Sequence, residues 1–132
     1  MILLKEYFQK PHTMAQEDAA QDLLARVEAL RKDADAAGIA RHIDPDTGCD
    51  ISGSTGGDGD GGFRTPASTT GAKGSAHRDA TAVDVYDPDD RLDAWITDAV
   101  LLKHGLYREA TTATAGWCHL QTRATTSRTF QP

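Results

Sequence analysis

Residues 75–86 read SAHRDATAVDVY. From Ala80 to Tyr86 the stretch alternates and is rich in small and branched side chains, which predicts a β-strand. Asp84 lies inside this apolar run, where an unpaired carboxylate is costly unless a cation or strong hydrogen-bond donors meet it. His77 stands seven positions earlier, with a tight turn and mostly small residues between. Two such side chains suit one transition-metal ion. A structural ion pair would also satisfy Asp84, and at this point both readings stand.

Upstream, residues 52–75, SGSTGGDGDGGFRTPASTTGAKGS, have the composition of a flexible linker. The segment GFRTP in its middle places an aromatic ring and Arg64 where a spacer needs neither. DGDG, residues 58–61, has the start of a calcium loop but lacks the later carboxylates that such a loop requires. Further upstream, Ala20, Leu23, Leu24, Val27 and Leu30 recur at spacings of three and four, which predicts an amphipathic helix from Thr13 to about Ala36. Thr13 with Gln16 reads as its capping box and Gly38 as its stop, and ARHID is expected as a short strand closed by the turn DPDTG.

Downstream, DPDD offers caps and an early proline for a second helix, from about Asp89 to Lys103, with Leu92, Trp95, Ile96, Ala99 and Val100 inward and Gly105 at its end. LYREA and WCHLQT, joined by TTATAG, predict a β-hairpin. The tail RATTSRTFQP has no period and is expected to lie extended over the surface. The order of helix, irregular loop, strand, helix and hairpin predicts an α+β fold, a small antiparallel sheet with helices packed on one side. The 132 residues fit one domain: a helical part over 1–40, a core carrying the candidate site over 41–122, and the tail over 123–132.

A net charge of −6 argues against a nucleic-acid backbone as principal partner, because that affinity comes from clustered Lys and Arg. No apolar run reaches the length of a membrane span, and the start MILLKEYFQKPHT turns polar too soon for a secretory signal, so synthesis in a cytoplasm is expected. Cys49 and Cys118 have no short spacing and read as free thiols.

Five histidines are available, at 12, 42, 77, 104 and 119. His12 precedes the first helix and His104 ends the second, where an imidazolium suits the helix dipole. His119 differs. Strand alternation in WCHLQT puts Trp117, His119 and Gln121 on one face and sends Cys118 and Leu120 to the other. His77, Asp84 and His119 together make three ligands of the kind that a zinc site with an open fourth position uses.

The runs GGFRTP, GSAHRDATAVDVYDP and GWCHLQT resemble the zinc D-alanyl-D-alanine carboxypeptidase family. That family includes bacteriophage endolysins and is similar in fold to the hedgehog signalling domain. Its pattern is Ser-x-His, six residues, Asp, then Trp-x-His, and Ser75, His77, Asp84, Trp117 and His119 fit it over about residues 50–122. Phage-encoded members carry a segment much like WCHLQTRA. The resemblance implies one Zn²⁺ held by His77, Asp84 and His119, with Arg64 contacting substrate and Ser75 and Trp117 beside it. It implies hydrolysis of peptide bonds in peptidoglycan stem peptides, as a carboxypeptidase or endopeptidase acting at the cell wall, with a monomer as the simplest assembly. Two positions depart from the pattern. Ala80 stands where glycine is usual, and Gly116 stands where many members carry the general-base Glu. Glu109 is the one acid between the second helix and His119, and a hairpin turning near Ala113 and Thr114 brings it almost opposite His119, so Glu109 is the candidate base. Paired instead with Arg108 or Arg123, it would be an ordinary solvated charge worth under about 1 kcal/mol. A zinc-stabilised wall-binding or phage structural module without turnover is the competing expectation.

Overall fold

In the computed structural model, residues 1–53, 61–65 and 75–131 are described. A short helix, α1 (Leu4–Tyr7), precedes the long α2 (Met14–Ala36). Thr13 caps α2 as its sequence predicts: its hydroxyl accepts from the Gln16 amide at 3.1 Å, and the Gln16 side chain accepts from the Thr13 amide at 2.8 Å. The predicted apolar stripe is buried, joined by Arg31 and Ala34. Gly38, at φ +85°, adopts the left-handed backbone that releases the chain from the helix. ARHID does not form a strand. Asp44 and Cys49 make a single bridge around the turn, so the pairing is one residue pair long.

The chain then builds β1 (Ala82–Tyr86), α3 (Arg91–Trp95), α4 (Asp98–His104), β2 (Tyr107–Glu109), β3 (Trp117–Gln121) and β4 (Thr129–Phe130). The expected single helix over 89–103 is two helices. Thr97 interrupts it with an extended backbone, and its hydroxyl accepts from the Val100 amide at 3.3 Å, opening α4 afresh. At the start of α3 the cap comes from Asp87, whose carboxylate accepts from the Leu92 and Asp93 amides. Gly105 ends α4 in the left-handed conformation, as expected.

The fold is α+β, with a sheet ordered β1-β3-β2-β4. The predicted hairpin is β2 and β3, and β1 pairs antiparallel on the far side of β3. Two expectations are corrected here. The sheet is mixed rather than antiparallel, because β4 joins β2 in parallel, and the tail that supplies β4 is therefore not merely laid on the surface. Arg108 donates its amide to the Arg128 carbonyl, and Ala110 donates to that of Phe130.

One face of the sheet carries Val83, Val85, Cys118 and Leu120, all fully buried in a cluster with Leu23, Val27 and Leu30 of α2 and Ile96 and Leu101 nearby. Both cysteines are free and buried. No helix among the described residues is long and apolar enough to cross a membrane.

Candidate metal centre

The other face of the sheet carries the site. Direct neighbours in a paired ladder share a face and stand about 4.5–5.5 Å apart at Cα. Asp84 of β1 is opposite His119 of β3, and Glu109 of β2 is beside Phe130 of β4. The β2–β3 register, Tyr107 with Gln121 and Arg108 with Leu120, continues to set Glu109 opposite His119. A single row thus crosses all four strands as Asp84, His119, Glu109, Phe130.

His77 reaches this row from outside the sheet, on a 3₁₀ turn (Ala76–Asp79) that leads into β1. The Ser75 hydroxyl accepts from the His77 amide at 3.3 Å and starts the turn. Ala80 ends it with φ +60°, a conformation that glycine adopts freely and alanine at a cost of about 1–2 kcal/mol.

Three segments therefore converge. His77, Asp84 and His119 offer one ligand atom each, all within 4.8 Å of one another and all buried. His119 Nδ1 lies 2.9 Å from Asp84 Oδ1, and His77 Nε2 lies 3.3 Å from the same oxygen. The His77 ring is turned by a backbone group, since its Nδ1 donates to the Gly62 carbonyl at 2.8 Å. A carbonyl oxygen only accepts, so the proton of a neutral His77 is on Nδ1 and its Nε2 lone pair points at the carboxylate. A lone pair facing a carboxylate inside a protein is repulsive until a positive charge sits between them. Burial alone would raise the Asp84 pKa, yet with protonated His77 and His119 rings beside it their charges and hydrogen bonds outweigh burial and hold the carboxyl well below its ordinary range. Burial likewise disfavours charge on His119, and Asp84 overcomes it, so the imidazole pKa is raised. Each shift expresses the same demand for positive charge at this point, and a divalent cation with two nitrogen and one oxygen ligands meets it.

The segment before the turn closes over the cluster. Asp84 donates its amide to the Gly61 carbonyl at 2.7 Å, and its own carbonyl accepts from Ser52 at 2.9 Å, so residues 52 and 61 both pair with β1. A side chain at Gly61 would stand 2.3 Å from the Ser52 carbonyl oxygen, and one at Gly62 2.7 Å from that of Tyr7. Both glycines are required by close backbone approach. Arg64 follows, bonded through its amide to the His77 carbonyl, with its guanidinium 3.4 Å from Asp84 Oδ2. Tyr7, from α1, lies beneath and donates its hydroxyl to the Ala82 carbonyl at 2.7 Å. Burial, then the Asp84 charge, raises the phenol pKa, so Tyr7 remains a donor.

The structure brings together His77, Asp84, His119 and Arg64, with Ser75 at the turn and Glu109 half-buried on the adjacent strand. Glu109 makes no ion pair among the described residues. Arg108 is engaged by Asp93 and Arg123 by Asp79. Trp117 is half-buried at the start of β3, opposite Tyr86 and one strand position pair away from His119. His12 stacks on Phe8 with ring centroids 3.7 Å apart, and His104 bonds to Asp33, which gives both a structural place away from the cluster. Residues 58–60 of the DGDG segment and most of the glycine-rich run fall outside the described residues.

Sequence reasoning did not assign Gly62, Tyr7, Gln121 or Phe130. The Gln121 amide oxygen lies 2.7 Å from His119 Nε2, and the Phe130 ring meets the His119 ring edge-on at 6.0 Å. Alternation already put Gln121 on the His119 face. Nothing in the aperiodic tail announced Phe130. No family model, curated protein or solved structure matches the chain.

Proposed function

We propose that the chain is a zinc metallopeptidase with a hedgehog/DD-peptidase-like fold, acting on the stem peptides of peptidoglycan as a D,D-carboxypeptidase or endopeptidase of the bacteriophage endolysin type. The observation that carries the proposal is the convergence of His77, Asp84 and His119, with Glu109 on the next strand opposite His119. Two further features support it. The left-handed backbone at Ala80 suits the glycine of the family pattern, and Arg64 of GFRTP reaches the ligand carboxylate.

A zinc ion held by these three side chains supplies Lewis acidity, polarising a carbonyl and acidifying water. The protein's own groups do the rest. The Glu109 carboxylate takes a proton from the attacking water and returns it to the leaving amine, which requires it to lie within reach of the His119 side of the cluster. Arg64 pairs with Asp84, and in this reading its guanidinium also meets a substrate carboxylate or a developing oxyanion. Ser75 holds the His77 turn, and Trp117 borders the row along the sheet where a peptide would lie.

The test is digestion of purified sacculi, with products read by mass spectrometry and metal by elemental analysis. Wild type is expected to hold one zinc and release amines or fragments. Glu109→Gln is expected to keep the zinc and lose about 10²–10⁴-fold in rate. Full activity in Glu109→Gln would remove Glu109 from the mechanism.

The near-complete burial of all three ligands, together with glycine at position 116, favours a second reading, a zinc-stabilised wall-binding module without turnover. Zinc-loaded protein that binds sacculi and releases nothing decides for that reading.

A further inference from the structure

We infer that Gln121 is a positioning residue that selects Nδ1 of His119 as the metal-binding nitrogen. This rests on the metal site proposed above and on a short chain of hydrogen bonds whose polarity can be read from one end. The Gln121 side chain lies 2.8 Å from the Arg123 carbonyl through its Nε2. A backbone carbonyl only accepts, so the Gln121 NH₂ group must face Arg123, and the amide cannot be flipped without losing that bond. Its oxygen is thereby committed to the other side, where it stands 2.7 Å from His119 Nε2. An amide oxygen also only accepts. His119 Nε2 must therefore carry a proton, and the nitrogen left to bind a cation is Nδ1, the one beside Asp84 Oδ1.

The mirror arrangement governs His77. There the Gly62 carbonyl takes the Nδ1 proton and leaves Nε2 inward. The two imidazoles thus meet the ion through different nitrogens, each fixed by a carbonyl-type acceptor on the outer side. Gln121 is 4 % exposed, so water does not compete for its amide. The outer anchor is shared with the first ligand as well, because the Arg123 guanidinium pairs with Asp79 on the turn that carries His77.

The experiment loads the full chain with zinc and records long-range ¹H–¹⁵N spectra of the histidine rings, with zinc affinity measured by competition against a chromophoric chelator. In wild type His119 is expected to be metallated at Nδ1, with a protected N–H at Nε2, and His77 at Nε2. Gln121→Met keeps the side-chain length and removes the acceptor. It is expected to expose the His119 Nε2–H to exchange and weaken zinc binding by about 10–100-fold. Gln121→Glu keeps an acceptor for His119 Nε2 while giving up the bond to the Arg123 carbonyl, and is expected to recover protection and affinity relative to Gln121→Met, which a purely structural role for the amide would not predict.

Zinc bound through Nε2 of His119 in the wild-type protein overturns the inference even if no variant folds. So does Gln121→Met with wild-type affinity and an unchanged spectrum. Failure of wild type to bind zinc at all overturns the metal site itself, and zinc bound as described without peptide hydrolysis overturns only the enzymatic reading.

Discussion

Gly62 gives its carbonyl to His77 and has no room for a side chain, because an added methyl would meet the Tyr7 carbonyl oxygen at 2.7 Å. The backbone on the other side cannot rotate away as a side chain would. Gly62→Ala is therefore expected to lower stability by about 1–3 kcal/mol, read by urea unfolding, and to weaken zinc binding in the same variant, because the displaced carbonyl no longer aims His77. Unchanged affinity would separate the glycine from the ligand. Asp93 tests the residue scale differently. It is buried on the far side of β3, accepts from the Thr114 hydroxyl at 2.7 Å, and has its carboxyl pKa raised by burial despite help from Thr114, Cys118 and Arg108. The folded state thus holds the Asp93 proton more tightly than the unfolded chain does. Stability from this group rises as pH falls through the raised folded value and is complete below the unfolded value of about 3.9. Wild type is expected to gain stability relative to Asp93→Asn between pH 7 and pH 4. A difference constant with pH would show that the carboxyl is not destabilised by folding.

Two of the helices, α2 and α4, open on single hydroxyls. Thr97 interrupts what apolar spacing alone presents as one helix, and Thr97→Ala removes the oxygen that accepts from Val100. A loss of about 1 kcal/mol is expected, or roughly 4 °C in Tm, by thermal unfolding followed in the far ultraviolet. No change would mean that the break is imposed by packing around Ile96 and Leu101 instead. The long helix α2 was legible to its ends because Thr13, Gln16, the three-four stripe and Gly38 all agree. The break in the second helix was not, because Leu92, Ile96 and Val100 keep helical spacing straight through it while Thr97 acts on the backbone. The strand β4 was illegible for a related reason. Two residues held by backbone bonds to β2 leave no alternation to read, and the residue they deliver beside the site, Phe130, is visible only once the strands are paired.

At the scale of the whole molecule the site is a meeting of distant pieces: a segment near residue 62, the turn at His77, β1 and β3. His77, Asp84 and His119 could be named as candidates from residue type, spacing and strand alternation, with a structural ion pair at Asp84 left open, and the family resemblance is what implied that the three form one ligand set. Their supporting groups could not, since the aim of each ring is set by carbonyls whose positions follow from tertiary folding. A cation bound across these pieces holds them in the folded arrangement and has no equivalent site in the unfolded chain, so its binding energy adds to stability. Zinc at about 100 times its Kd is expected to stabilise the fold by about 2.7 kcal/mol, which for a chain of this size is on the order of 10 °C in Tm. Adding a chelator to the zinc-loaded protein should therefore lower Tm by that order, and returning zinc should restore it. Asp84→Asn removes the negative ligand that links β1 to both imidazoles, and in that variant Tm should no longer respond to zinc. Equal zinc responses in wild type and Asp84→Asn would place any bound ion elsewhere, because a site made from these three ligands cannot lose its carboxylate and keep its coupling to the fold.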